Sequence, residues 1–396
     1  MGSCNVYDES RWKARGQRFN LSRLGFRATA RSRTFQPRSH PLEVVVGANG
    51  VGKSALFEFL RFLRTSMYNK IPPEIVTGGE GQQVFHSPGA QKICWSLEVA
   101  DSKDLHLYSG ELLGPPGRVR IQSETVVDLS TSARMLDLRG GSGVMFDPAS
   151  SPTSTEISAD ETGRLGLSTI SQRDSESLYS LRRDIGQTRF YDAARIDRET
   201  IRRSIRVDES PFLEENFSNL SAVLFYLMTE RPDRFEEIQA TLRLSISDFK
   251  RLSVKARGVP GEVIAFYEQR DGTELTIADL SDGTMRLLCW ATLCNRSRRG
   301  VTCVDEPDQG FHPRILPIIA DMFRKAALSR QCLISTHSSY FLRQFGLSEI
   351  AVIRKENGEP KWVKPSDSKI LRESLTDFGE GEIERMHRSE ELEQLA

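Results

Sequence analysis

Short apolar runs bounded by polar or turn residues recur near both ends of the chain: LEVVV at 42–46, GVTCVDE at 300–306 and QCLIST at 331–336. Runs that are apolar throughout, rather than alternating, predict strands buried on both faces. Elsewhere the spacing is helical. Ala55, Leu56, Phe59, Leu60 and Leu63 share one face of a helix over about 54–67. Further helices are expected over 216–228, from Pro232 with Phe235, Ile238 and Leu242 in register, and over 315–327. Strand-like runs at 92–99, 105–108 and 119–127 suggest an antiparallel set, and RLSVKA and EVIAFYE flank RGVPG as a hairpin. A second hairpin, IAVIRK-ENGEP-KWV, precedes an acidic helical tail. Residues 140–182, rich in Gly, Ser and Thr, have weak periodicity and are expected to be a flexible loop or insertion.

This order predicts an α/β protein: a central, mostly parallel sheet with an antiparallel β lobe and an inserted helical lobe. Residues 1–70 and 276–396 would assemble the core, and 71–275 would form the inserted lobe with its β segments, helices and hairpin.

Composition changes this picture little. The chain has 396 residues and equal numbers, 54 each, of Lys+Arg and Asp+Glu, so net charge does not point to a polyanionic partner. The charge is unevenly placed, however. Nine basic residues crowd the first forty, from Arg11 to Arg38, which makes that arm the first place to look for DNA contact. No apolar run is long enough for a bilayer, and no signal-peptide core is present. The six cysteines form no C-x-x-C pair and no metal spacing. A cytoplasmic protein without a membrane partner is expected.

Four short stretches carry chemistry. GANGVGKS, Gly47 to Ser54, fits G-x-x-x-x-G-K-[ST] between a strand and a helix. Such a P-loop turns backbone N–H groups of Asn49, Gly50, Val51, Gly52, Lys53, Ser54 and Ala55 onto phosphates. Lys53 would reach the terminal phosphates and Ser54 would hold Mg²⁺. In VTCVDEP an apolar strand delivers Asp305, suited to the Mg²⁺ shell, and Glu306, suited to polarise a water. In LISTHS another strand ends at His337, a candidate γ-phosphate contact. In LSDGT, Ser281 would cap a helix, with Gly283 in its first turn.

In that order the four motifs resemble the ATP-binding-cassette superfamily, with LSDG in the position of its signature. The resemblance implies a P-loop NTPase fold of ABC-ATPase type and a homodimer of heads, open to higher oligomers, with two ATP molecules sandwiched between them. Ser281 and Gly283 of one head would close the site of the other. Over 200 residues separate Lys53 from Leu280, whereas transporter cassettes need roughly half that. No sustained heptads of the kind found in SMC coiled coils appear. The pattern is closest to compact ATPases related to RecF, SMC heads and the ATPase part of OLD-type proteins. Matching residues are Gly50, Gly52, Lys53 and Ser54; Leu280 to Thr284 and Arg286; Asp305, Glu306, Pro307, Gly310, His312 and Pro313; and Thr336, His337 and Ser338. The resemblance is specific near 42–68 and 275–345 and loose between them.

What it implies is ATP hydrolysis with Mg²⁺, in DNA repair or antiviral defence. No Asp-x-Asp pair in a βα repeat follows His337, so a nuclease or toxin effector is expected on a separate protein. DNA is a further candidate partner. A transporter ATPase subunit and a non-hydrolysing ATP-dependent scaffold are the alternatives. Phe26 and Arg27 are candidates for the adenine contact, Gln82 and Gln83 for the Q-loop, and Arg286 for the dimer interface.

Overall fold

The computed structural model describes residues 20–28, 41–48, 53–71, 92–100, 105–113, 120–147, 154–158, 163–256, 260–296, 300–356, 359–369, 371, 381–388 and 392. A six-stranded sheet lies at the centre. Its order is Glu359–Val363, Ile350–Glu356, Leu42–Val46, Gln331–Ser335, Val301–Asp305 and Arg189–Asp192. All pairings are parallel except the hairpin at the Glu359–Val363 edge.

The strands alternate between two cores, as the pleat requires. Val44 and Val46 enter one apolar cluster and Val45 the other. Cys332 and Ile334 likewise oppose Leu333. The first cluster holds Trp290, whose ring meets Phe217 edge-on at 5.3 Å, and the helices over Leu220–Glu230, Pro232–Ser245 and Asp282–Asn295. The second holds Phe59 and Leu63 of the helix Lys53–Ser66. That helix is wedged against a seven-stranded antiparallel sheet through Trp95, whose ring lies 6.3 Å from that of Phe59. The polar Glu43 inside LEVVV is fully buried and is neutralised by Lys364, 2.7 Å away.

The mostly parallel core sheet, the antiparallel lobe and the helical lobe therefore agree with the pattern in the sequence. Two features differ. The edge strand Arg189–Asp192 comes from the middle of the chain, between residues 71 and 275, and pairs in parallel with Val301–Asp305. The run 140–182, expected to be flexible, contains the strands Ser142–Met145 and Thr155–Ser158, the helix Gly166–Thr169 and the start of the helix Glu176–Gly186, while its residues 148–153 and 159–162 lie outside the described ones. A tertiary contact holds the helix Gly166–Thr169. Gly166 and Leu167 donate their N–H groups to the buried Glu124 carboxylate at 2.6 and 3.0 Å, and Tyr108 donates its hydroxyl at 3.0 Å. Such pairing is invisible to a local hydrophobic count. Among the described residues no helix is long and apolar enough to cross a membrane.

Candidate functional site

Three neighbouring parallel strands end on the same side of the core sheet, where open α/β sheets bind ligands. Leu42–Val46 leads through Gly47 to Lys53, Val301–Asp305 ends at Glu306, and Gln331–Ser335 leads to His337. Asn49, Gly50, Val51 and Gly52 lie outside the described residues, as do Gln82 and Gln83 and the side chains of Ala55, Phe26 and Arg27. Lys53 begins its helix and bends back onto its own loop, donating to the Gly47 carbonyl and to that of Ala48 at 3.1 Å. Ser54 is exposed.

The carboxylates are held from the adjacent strand. Ser335 donates its hydroxyl to Asp305, and the Glu306 N–H donates to the Ser335 carbonyl at 3.0 Å. Glu306 has a φ of 46°, a left-handed conformation uncommon outside glycine. A continuing strand would point adjacent side chains to opposite faces; the left-handed turn redirects Glu306, and the Asp305 charge acts on it. The Glu306 carboxylate lies 4.0 Å from His337 Nε2 and 3.5 Å from Gln309 Nε2.

The charges act on one another. Burial first, then Asp305, Asp308 and Asp192, raise the Glu306 carboxyl above its ordinary value, against the pull of Lys53. A raised carboxyl is a better proton acceptor near neutral pH. Burial and then Lys53 lower His337, which favours a neutral ring. The P-loop lysine, both carboxylates and the histidine thus form one electrostatic unit.

Sequence reading did not single out two members of this cluster. Asp192 ends the edge strand in register with Asp305. Asp308 accepts the Thr336 hydroxyl at 2.7 Å, and burial raises its carboxyl. The available signals were the apolar-then-acidic ending of RFYD and the repeated acid in DEPD.

The signature stretch sits apart from these bonds. Ser281 is the N-cap of the helix Asp282–Asn295, and its hydroxyl accepts the Thr284 N–H at 3.4 Å. Asp282 pairs with Arg198 at 2.6 Å, so it is tied to the middle lobe as well as placed near the positive helix end. Ser281 is exposed, and a Cβ built on Gly283 would meet nothing within 4 Å. Arg286 turns inward and donates to the Gln309 carbonyl at 2.7 Å.

The donor set suits ATP with Mg²⁺. A hydroxyl from Ser54 and a carboxylate from Asp305 are hard oxygen ligands of the kind Mg²⁺ takes beside phosphates and water. Lys53 already directs its ammonium at oxygen acceptors within the loop.

Comparison with solved structures fits this geometry. An SMC head crystallised with the C-terminal winged-helix domain of ScpA superposes with a TM-score of 0.53 at 11% identity, over 86% of this chain and 97% of that one. The fold is similar to that of this SMC head domain. An SMC head from Thermotoga maritima (TM-score 0.41, 13% identity, 88% of this chain and 99% of that one) and one from Pyrococcus furiosus carrying an extended coiled coil and bound to the C-terminal domain of ScpA (0.47, 12%, 90% and 100%) are further matches. A family model described as "AAA domain, putative AbiEii toxin, Type IV TA system" matches residues 216–343, which run from the helical lobe through the signature, the acidic strand end and His337. No curated protein matches the chain. The AAA-domain match supports a nucleotide-binding ATPase.

Proposed function

We propose that the protein is an ATP-driven dimeric switch: two heads close on two ATP molecules, and hydrolysis reopens them. The observation that carries this reading is the pairing of one half-site with one open cap. Lys53, Asp305, Glu306 and His337 converge at the strand ends, while Ser281 and Gly283 face outward with no counterpart at Gly283 in their own chain.

In this reading Lys53 and the loop N–H groups hold the phosphates. Ser54 and Asp305 hold Mg²⁺, which when bound offsets phosphate charge. Glu306 takes the proton of the attacking water, and neutral His337 donates a hydrogen bond to the terminal phosphate. Ser281 and the first N–H groups of the signature helix meet the phosphates of the partner's ATP. The effector is a separate protein. The toxin–antitoxin description of the matched family supports a defence role, and the ScpA-bound SMC head is a precedent for a partner docked on this fold.

Mixing two dead variants tests the shared site. Ser281→Arg keeps its own P-loop and Lys53→Ala keeps its signature. Each alone is expected to be inactive, and the mixture is expected to regain turnover through one intact composite site. A mixture as dead as its components would refute the trans arrangement.

A further inference from the structure

A cavity of about 590 Å³ opens beside the core sheet, lined by none of the residues assigned to ATP. Arg61 and Arg64 line it from the P-loop helix, Arg189 and Phe190 from the edge strand, and Arg195 and Phe212 from the segments that follow. Against these four arginines stand Glu214 and Glu215 in the lining, and Asp192, 3.5 Å from Arg195. Glu215 is committed to holding the wall together. It accepts from Arg64 and from the Phe190 N–H at 2.9 Å, and lies 3.7 Å from Arg61. Arg61 and Arg64 also stack on Phe190, at 4.4 and 5.1 Å from the ring centre. The result is a preorganised set of guanidinium forks with an excess of positive charge, the arrangement that recognises phosphate.

One wall adds a second chemistry. Phe212 is 41% exposed, and the Arg189 guanidinium lies 5.7 Å from its ring centre. A large aromatic ring at the mouth of a cationic pocket offers a flat surface for a planar ring, and a guanidinium beside it adds to stacking. The volume is in the range of small-ligand sites.

We infer that this cavity binds a nucleotide unit, its phosphate on Arg61, Arg64, Arg189 and Arg195 and its base against Phe212, either as a free nucleotide or as the terminal unit of a nucleic-acid strand. Burial, and then the neighbouring Arg195 and Arg64 charges, hold Arg61 below its ordinary value despite Glu215. The edge strand that carries Arg189 and Phe190 ends at Asp192, in register with Asp305, and Asp192 lies 3.5 Å from Arg195 of the cavity, so the cavity and the ATP half-site adjoin at that strand end.

The test uses the full chain and a 5′-phosphorylated oligothymidylate of about eight nucleotides, labelled at its 3′ end and followed by anisotropy. Thymidine monophosphate and a polyglutamate peptide serve as competitors. Binding is expected to weaken as salt rises, about tenfold with Phe212→Ala, and more with Arg189→Glu. Both variants are checked for unchanged ATP binding, which reports on the fold independently. Displacement by thymidine monophosphate, lost in the same variants, would assign the site to a free nucleotide. Strand binding without that displacement would assign it to a strand end. No binding, binding equal in the wild type and both variants, or preference for the acidic peptide would overturn the inference.

Discussion

Arg286 of the signature helix donates a hydrogen bond to the backbone carbonyl of Gln309 at 2.7 Å, three residues beyond Glu306. Gln309 in turn places its amide 3.5 Å from the Glu306 carboxylate. The cap that would close a partner's site is therefore tied to the residue that would activate water in its own. Gly310 completes the joint. Its φ is 82°, and a Cβ there would lie 3.1 Å from the Arg286 guanidinium.

That link predicts a kinetic phenotype without a binding one. Arg286→Ala should lower kcat about tenfold, roughly 1.4 kcal/mol of barrier, while ATP affinity stays within about twofold. Nucleotide titration and steady-state turnover check both numbers. Unchanged kcat would reduce the Arg286 contact to a surface hydrogen bond.

Gly283 offers a test in which stability and function move in opposite directions. The residue lies in the first turn of a helix, where alanine is favoured, and nothing in its own chain crowds it. Gly283→Ala should raise the stability of the nucleotide-free protein by about 0.4–1 kcal/mol. The same methyl should lower the ATP-dependent dimer fraction, because it would stand between the helix and the partner's phosphates. Thermal melts without nucleotide and light scattering with it read the two effects. A variant that gains stability and dimerises fully would leave this glycine unexplained.

The buried Glu124 predicts a stability effect remote from the site. Its oxygens receive two backbone N–H groups and the Tyr108 hydroxyl. A glutamine amide would turn an N–H₂ toward one of those donors, so Glu124→Gln should cost about 1–3 kcal/mol. Burial raises the Glu124 carboxyl, against the pull of those hydrogen bonds. The native state therefore holds its proton more tightly than the unfolded chain. Its contribution is greatest at low pH and declines as pH rises from the ordinary glutamate value through the folded one. The penalty of the substitution should shrink over the same window. Denaturant unfolding at a series of pH values measures this, and a penalty that grows with pH would contradict it.

What the sequence made legible was what is local. The buried strands at 42–46, 301–305 and 331–335 announce themselves as largely apolar runs, and each carries its candidate site residues at or just past its end. The cap at Ser281 is likewise a local signal. Long-range partners were hidden. Asp192 gains its place by pairing its strand with one more than a hundred residues away, and the four-residue RFYD is too short a local signal to place it in the core sheet. Within 140–182 the helix Gly166–Thr169 is held by Glu124, which accepts the N–H groups of Gly166 and Leu167. The left-handed turn at Glu306 was hidden for another reason, since it is imposed by the neighbouring strand through the Ser335 carbonyl.

The central claim is that nucleotide closes two heads and Glu306 opens them. Light scattering of Glu306→Gln in saturating ATP and Mg²⁺, with phosphate release followed in parallel, tests it most directly. The account predicts a stable ATP-bound dimer with turnover reduced at least about a hundredfold, within the range that loss of a general base produces. A monomer under these conditions, or turnover at the wild-type rate, would contradict it.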